Sequence, residues 1–171
     1  MSTSTSRLGE CPVSSEGGKG MSLESAYIFE GLGDNARAAV AAIALEETHE
    51  SGTKLFQAGE LATDLYILEE GRIRQTVLRG GLLSHILSEP GTAMGWSSMA
   101  GTGTYTATAV CNSPVRLLRI PAEELVLIFD RDPISGMAFY RRLCELIVRR
   151  LVESYGATLS LAAQIDPRSY G

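Results

Sequence analysis

Few side chains in this sequence are of kinds that do chemistry, and their spacing narrows the choice further. The two histidines, His49 and His85, stand far apart, and the three cysteines, Cys11, Cys111 and Cys144, form no CxxC pair. A metal centre needs clustered ligands, so none is expected. No Walker-type glycine loop and no nucleophile–base pair is present, which removes the usual starting points for catalysis. The odd, scattered cysteines read as free thiols of a reducing compartment, the cytoplasm. What remains is one stretch, Gly95-Trp96-Ser97-Ser98-Met99, followed by Tyr105-Thr106-Ala107-Thr108. Trp96 and Tyr105 can wall a pocket for a nucleotide base, a lipid-like signal or a planar cofactor, or they can pack on each other. Ser97, Ser98, Thr106 and Thr108 can donate to an anion, or they can satisfy backbone groups in turns.

The elements that must position this stretch change character along the chain. Residues 1–22 are rich in Ser, Thr and Gly with almost nothing to bury, and predict a disordered leader. Leu23 to Ala44 turns helical, with Asp34 or Asn35 as the expected N-cap. Between about 44 and 121 the runs TKLF, DLYILEE, RIRQTVL, LLSHILS, YTATAV and VRLLRI alternate with glycines. Short β-branched runs with frequent turn signals predict a β-sandwich or barrel. Pro121 starts a helix in its first turn, and Pro133 opens a longer one reaching Tyr155, with Gly156 as its C-cap. The remainder, 157–171, is expected to be an irregular tail.

On that long helix Phe139, Leu143 and Leu146 form one apolar stripe, while Tyr140, Cys144, Ile147, Leu151 and Tyr155 form a second. One barrel can cover only one of them, so a homodimer through 133–155 is expected. The alternative is that the second stripe docks on the first helix around Val40 and Ile43. Arg141, Arg142, Arg149 and Arg150 interleave with Glu145 and Glu153 and predict solvated i,i+4 pairs. A net charge of -5 argues against a general polyanion binder, and no direct nucleic-acid contact is expected. No apolar run is long enough for a membrane span, so no membrane role is expected either.

Five blocks in order, GTKLFQAGE (52–60), LYILEEGRI (65–73), PGTAMG (90–95), TATAV (106–110) and LLRIPAEELVLIF (117–129), carry a resemblance. Together they resemble the cyclic-nucleotide-binding domain of the catabolite-activator and kinase regulatory-subunit superfamily, over about residues 28–155. The resemblance implies a mostly β fold with flanking helices: an eight-stranded jelly roll, residues 23–156 with its helices, ending in a dimerisation-type helix. It implies a ligand cassette in which a glycine turn presents N–H groups to a cyclic phosphate, an arginine pairs with that phosphate, and a glutamate binds the ribose.

Carried onto this chain, the cassette is Gly95, Trp96, Ser97, Ser98, Tyr105 and Thr106. Gly95, Ser98 and Thr106 fit the family pattern. Trp96 stands in the glutamate's place and Tyr105 in the arginine's, and no arginine lies between Met94 and Val115. Losing two charge-assisted hydrogen bonds, each about 1.5–3 kcal/mol, weakens binding by about two to four powers of ten. The expected protein is therefore a stand-alone regulatory or sensor module, not an enzyme. It is not expected to bind cAMP or cGMP in the usual way, it needs no cofactor, and a different small-molecule ligand is possible. The alternatives are an interaction module with a vestigial pocket, or a sensor acting in trans with a DNA-binding or signalling partner. Family analogy also raises His85 as a haem ligand and Ser154 and Tyr155 as base contacts; a hydrogen-bonded histidine and an interface tyrosine are the plainer readings.

Overall fold

The structure, a computed structural model, describes Leu23 and residues 26–78 and 82–164. The expected leader, 1–22, and the last seven residues of the expected tail lie outside the described residues.

The helix expected from Leu23 to Ala44 is broken in two. A 3-10 turn, Tyr27–Phe29, is followed by helix α1, Asp34–Ile43. Glycine separates them: Gly31 sits at φ +89, a conformation that ends a helix and that other residues rarely take. The N-cap is Gly33, not Asp34 or Asn35, and no side chain caps the end. Long-range packing decides this, because the Gly33 N–H donates to Ser135 Oγ at 3.0 Å.

Eight strands follow: β1 Leu45–His49, β2 Lys54–Phe56, β3 Asp64–Glu70, β4 Ile73–Leu78, β5 Leu82–Leu87, β6 Ala93–Met94, β7 Thr108–Cys111 and β8 Val115–Pro121. They form two four-stranded sheets, ordered β1-β8-β3-β6 and β2-β7-β4-β5, with every pairing antiparallel. The chain passes repeatedly between sheets, which makes the jelly roll. Two strands had no apolar signature: β1, LEETH, is an edge strand, and β6 is two residues long. The YTATAV run pairs only from Thr108 onward. Tyr105 instead bonds through its backbone to Glu60 O and Gly59 N.

Side-chain alternation explains why the central strands look continuously apolar. Leu65 and Ile67 of β3, with Leu118 and Ile120 of β8, face the helices and pack with Ile28, Val40, Phe129 and Phe139. Tyr66, Leu68 and Leu117 point the other way, into the roll, with Phe56, Ile73, Met94 and Tyr105. A strand buried on both faces loses the polar half of its period.

Pro121 is the N-cap of α2, Ala122–Arg131, one residue outside the first turn expected for it. The long helix α3 spans Pro133–Gln164 and runs through Gly156, so Gly156 is not its C-cap and 157–164 are helical. A glycine within a helix costs about 1 kcal/mol relative to alanine. The alanines and leucines of ATLSLAAQ favour continuing it. At the other end Asp132 caps the helix, accepting Ser135 N–H at 3.2 Å and Ser135 Oγ–H at 2.6 Å.

Candidate functional site

The site grows from the end of β6. Gly95 turns the chain at φ +73 into a 3-10 turn, Trp96–Ser98. A Cβ at Gly95 would lie 2.9 Å from Asp64 O and 3.0 Å from Tyr66 Cδ2, so both conformation and space demand glycine. The cassette hydroxyls bond to the chain itself. Ser98 Oγ donates to Gly95 O at 3.0 Å, and Ser97 Oγ accepts Thr106 N–H at 3.4 Å. Thr106 Oγ1 lies 3.4 Å from Ser97 Oγ, and Thr108 Oγ1 accepts Ala58 N–H at 3.1 Å. Gly95, Ser97, Ser98 and Thr106 are thus brought together.

Trp96 and Tyr105 part company, which corrects the reading that they pack on each other. Tyr105 goes into the roll, 4% exposed, and stacks on Phe56 with ring centroids 4.2 Å apart. Its hydroxyl accepts Asp64 N–H at 3.1 Å and donates to Asp64 O at 3.0 Å. Burial, with Tyr105 next to it, pushes the Tyr66 phenol well above its ordinary range. Trp96 goes the other way and packs, half-buried, on the helix-side core.

Beyond Trp96 a groove of about 320 Å³ opens between the β5–β6 turn and α3. Its floor includes Ile28, Leu87 and Ala93, and its rim carries Arg149, Arg150 and Glu153 of α3 and Glu89 of the turn. His85 lies on β5, the strand that leads into this turn. Its Nε2 lies 3.1 Å from Gln75 Oε1, which makes it a hydrogen-bonded strand histidine. Burial, reinforced by Arg150 and opposed by Glu153, lowers its pKa. Among the described residues no three His, Cys, Asp or Glu side chains are placed to hold a metal.

The arginines of α3 do not form the expected i,i+4 pairs among the described residues. The pairs are i,i+3: Arg142 with Glu145 at 3.0 Å and Arg150 with Glu153 at 3.7 Å. Arg142 also reaches Glu30 at 3.2 Å, and both Arg142 and Arg149 lie against the Tyr27 ring. Tyr27 and Glu89 were not singled out in the sequence, and no local pattern marks either one.

A family model described as the cyclic nucleotide-binding domain matches residues 32–132. The chain belongs to that family. The cyclic nucleotide-binding fold recurs in solved structures. The catabolite activator protein of Thermus thermophilus matches with TM-score 0.61 and 24% identity, over 80% of this chain and 63% of that one. The N-terminal domain of a transcriptional regulator from Streptomyces coelicolor A3(2) matches with TM-score 0.60 and 25% identity, over 80% of this chain and 96% of that one. The regulatory subunit of a cAMP-independent protein kinase A from Trypanosoma brucei matches with TM-score 0.66 and 16% identity, over 81% and 49%. This chain therefore spans less than two thirds of the Thermus activator it resembles. No curated protein matches the sequence. These matches support the cyclic nucleotide-binding family and its fold.

The second apolar stripe of α3 stays in solvent within one chain. Tyr140, Ile147, Leu151 and Tyr155 are 39%, 38%, 49% and 62% exposed, and Cys144 is exposed. Val40 is buried against the first stripe, with Phe139 and Leu143, so α1 does not cover the second. The Ser154 side chain lies outside the described residues. No described helix is long and apolar enough to cross a membrane.

Proposed function

We propose that this domain is a non-enzymatic, cytoplasmic sensor that has given up the usual capture of cAMP or cGMP while keeping the family's roll and helix. The observation that carries the reading is Tyr105. It occupies the arginine's place in the cassette, its ring is stacked on Phe56, and its hydroxyl is engaged by Asp64. A cyclic phosphate arriving beside Gly95 would meet no guanidinium from the cassette and no glutamate for its ribose. The hydroxyls of Ser97, Ser98, Thr106 and Thr108 already have partners within the chain. Calorimetry with cAMP and cGMP on the purified chain tests this; no heat at micromolar nucleotide is expected, and low-micromolar binding of either would refute it.

The domain works as a homodimer through 133–155. The exposed seam of Tyr140, Ile147, Leu151 and Tyr155 supports this, since a soluble monomer rarely leaves so contiguous an apolar patch in water. A twin helix is the simplest cover, needing one self-complementary surface.

A further inference from the structure

We infer that the groove between the β5–β6 turn and α3 is a binding site for a small monocarboxylate with an apolar body, read by Arg149 rather than by any cassette residue. This rests on the reading that the cassette no longer takes a cyclic nucleotide, and it assigns the ligand class for the same domain. Three observations carry it.

The first is a cation held ready. Among the described residues Arg149 has no carboxylate within salt-bridge distance, whereas Arg142 and Arg150 both do. Its guanidinium carbon lies 5.5 Å from the centroid of the Tyr27 ring. That ring is itself fixed: the Tyr27 hydroxyl donates to Glu145, it accepts from Arg142 at 3.0 Å, and Arg142 stacks at 4.7 Å. Arg149 therefore rests on a rigid platform with its donors uncommitted to any anion, which lowers the ordering entropy of binding one.

The second is the floor. Ile28 and Leu87 close it from below, and the apolar surface left open on it belongs to Ile86, 48% exposed, and to the half-buried Trp96 and Leu146. An apolar body gains by covering those three side chains, about 25 cal/mol for each Å² removed from water. At about 320 Å³ the groove is at the low end of small-molecule sites, which excludes a large cofactor.

The third is the charge balance. Glu153 is paired with Arg150 at 3.7 Å, and Glu89 faces the groove from the turn. A second negative charge on the ligand would meet Glu89, so one carboxylate is favoured over a dianionic phosphate. The guanidinium suits a carboxylate because its donors match the two oxygens.

The test uses hexanoate and benzoate, with hexan-1-ol and benzyl alcohol as uncharged counterparts. Trp96 is the sole tryptophan, so its emission reports on the groove directly. Both acids should shift it saturably with a dissociation constant below about 1 mM, and the alcohols should bind at least about tenfold more weakly. Arg149→Gln should weaken the acids about tenfold to a hundredfold, the loss expected for a charge-assisted hydrogen bond. Arg149→Lys should recover part of it, and Arg141→Gln should change nothing. Unchanged thermal unfolding of each variant shows that the fold is intact. Failure of both acids, or an Arg149→Gln variant that binds as well as the wild type, overturns the groove site. That outcome leaves the functional reading standing if cAMP and cGMP are also inert; micromolar cAMP binding would overturn the functional reading instead.

Discussion

One hydroxyl of Tyr105 closes both backbone groups of Asp64, taking its N–H at 3.1 Å and giving a proton to its carbonyl at 3.0 Å. Asp64 begins β3, and its carboxylate accepts Arg119 Nη1 at 3.0 Å. Tyr105, which the family resemblance sets in the place of a phosphate-binding arginine, is therefore a structural tie between the cassette and the central sheet.

Tyr105→Phe should expose the worth of that tie. The ring stays stacked on Phe56, while the Asp64 N–H and carbonyl lose a buried partner. A loss of about 1–3 kcal/mol is expected. Urea unfolding with an unchanged m-value would measure it; a variant as stable as the wild type would mean that water replaces the hydroxyl.

Gly95→Ala should be more damaging than a loop substitution usually is. The new methyl would sit at φ +73 and 2.9 Å from a backbone oxygen that cannot swing aside. Strain of this kind is of the order of 1–3 kcal/mol before the clash is counted. A fall in midpoint temperature of several degrees is expected by calorimetry. Gly101→Ala is the comparison, since its φ of +74 is similar but its Cβ would meet nothing.

The mass in solution decides the dimer. Light scattering at micromolar concentration should give twice the 18.3 kDa of the chain. Ile147→Glu with Leu151→Glu should weaken association by at least about two powers of ten, because two carboxylates would have to be buried without partners. A wild-type mass near 18.3 kDa would end the proposal.

The cap of α3 sets a pH dependence. Hydrogen bonds from the Ser135 hydroxyl and backbone N–H hold the Asp132 pKa below its ordinary value. A depressed folded-state pKa contributes stability that is present above the unfolded value and lost as pH falls through the folded one. Stability of the wild type should therefore drop relative to Asp132→Asn across the acid range below the usual aspartate pKa. Chemical denaturation of both proteins at stepped pH would show it; parallel curves would remove Asp132 from the account.

How much of this was legible beforehand differs from element to element. Ordered short runs with glycine punctuation marked the roll, because the side-chain period and turn residues are local properties. The two stripes of α3 were equally local, and the structure buries Phe139 and Leu143 while leaving Ile147 and Leu151 out. The absence of any arginine between Met94 and Val115 needed no coordinates either, since a missing charge is visible in the sequence itself.

Where tertiary contacts outbid local preference, the sequence was silent. The N-cap of α1 moved to Gly33 because Ser135, far along the chain, holds its N–H. Gly156 reads as a stop signal, yet its neighbours carry α3 through it. Trp96 and Tyr105 looked like one wall, but the turn at Gly95 sends them into separate cores. The groove joins Tyr27, the β5–β6 turn and Arg149, which no window along the chain contains together. Patterns and missing charges are written residue by residue, whereas caps, cavities and the direction a side chain takes depend on which distant segments arrive beside it.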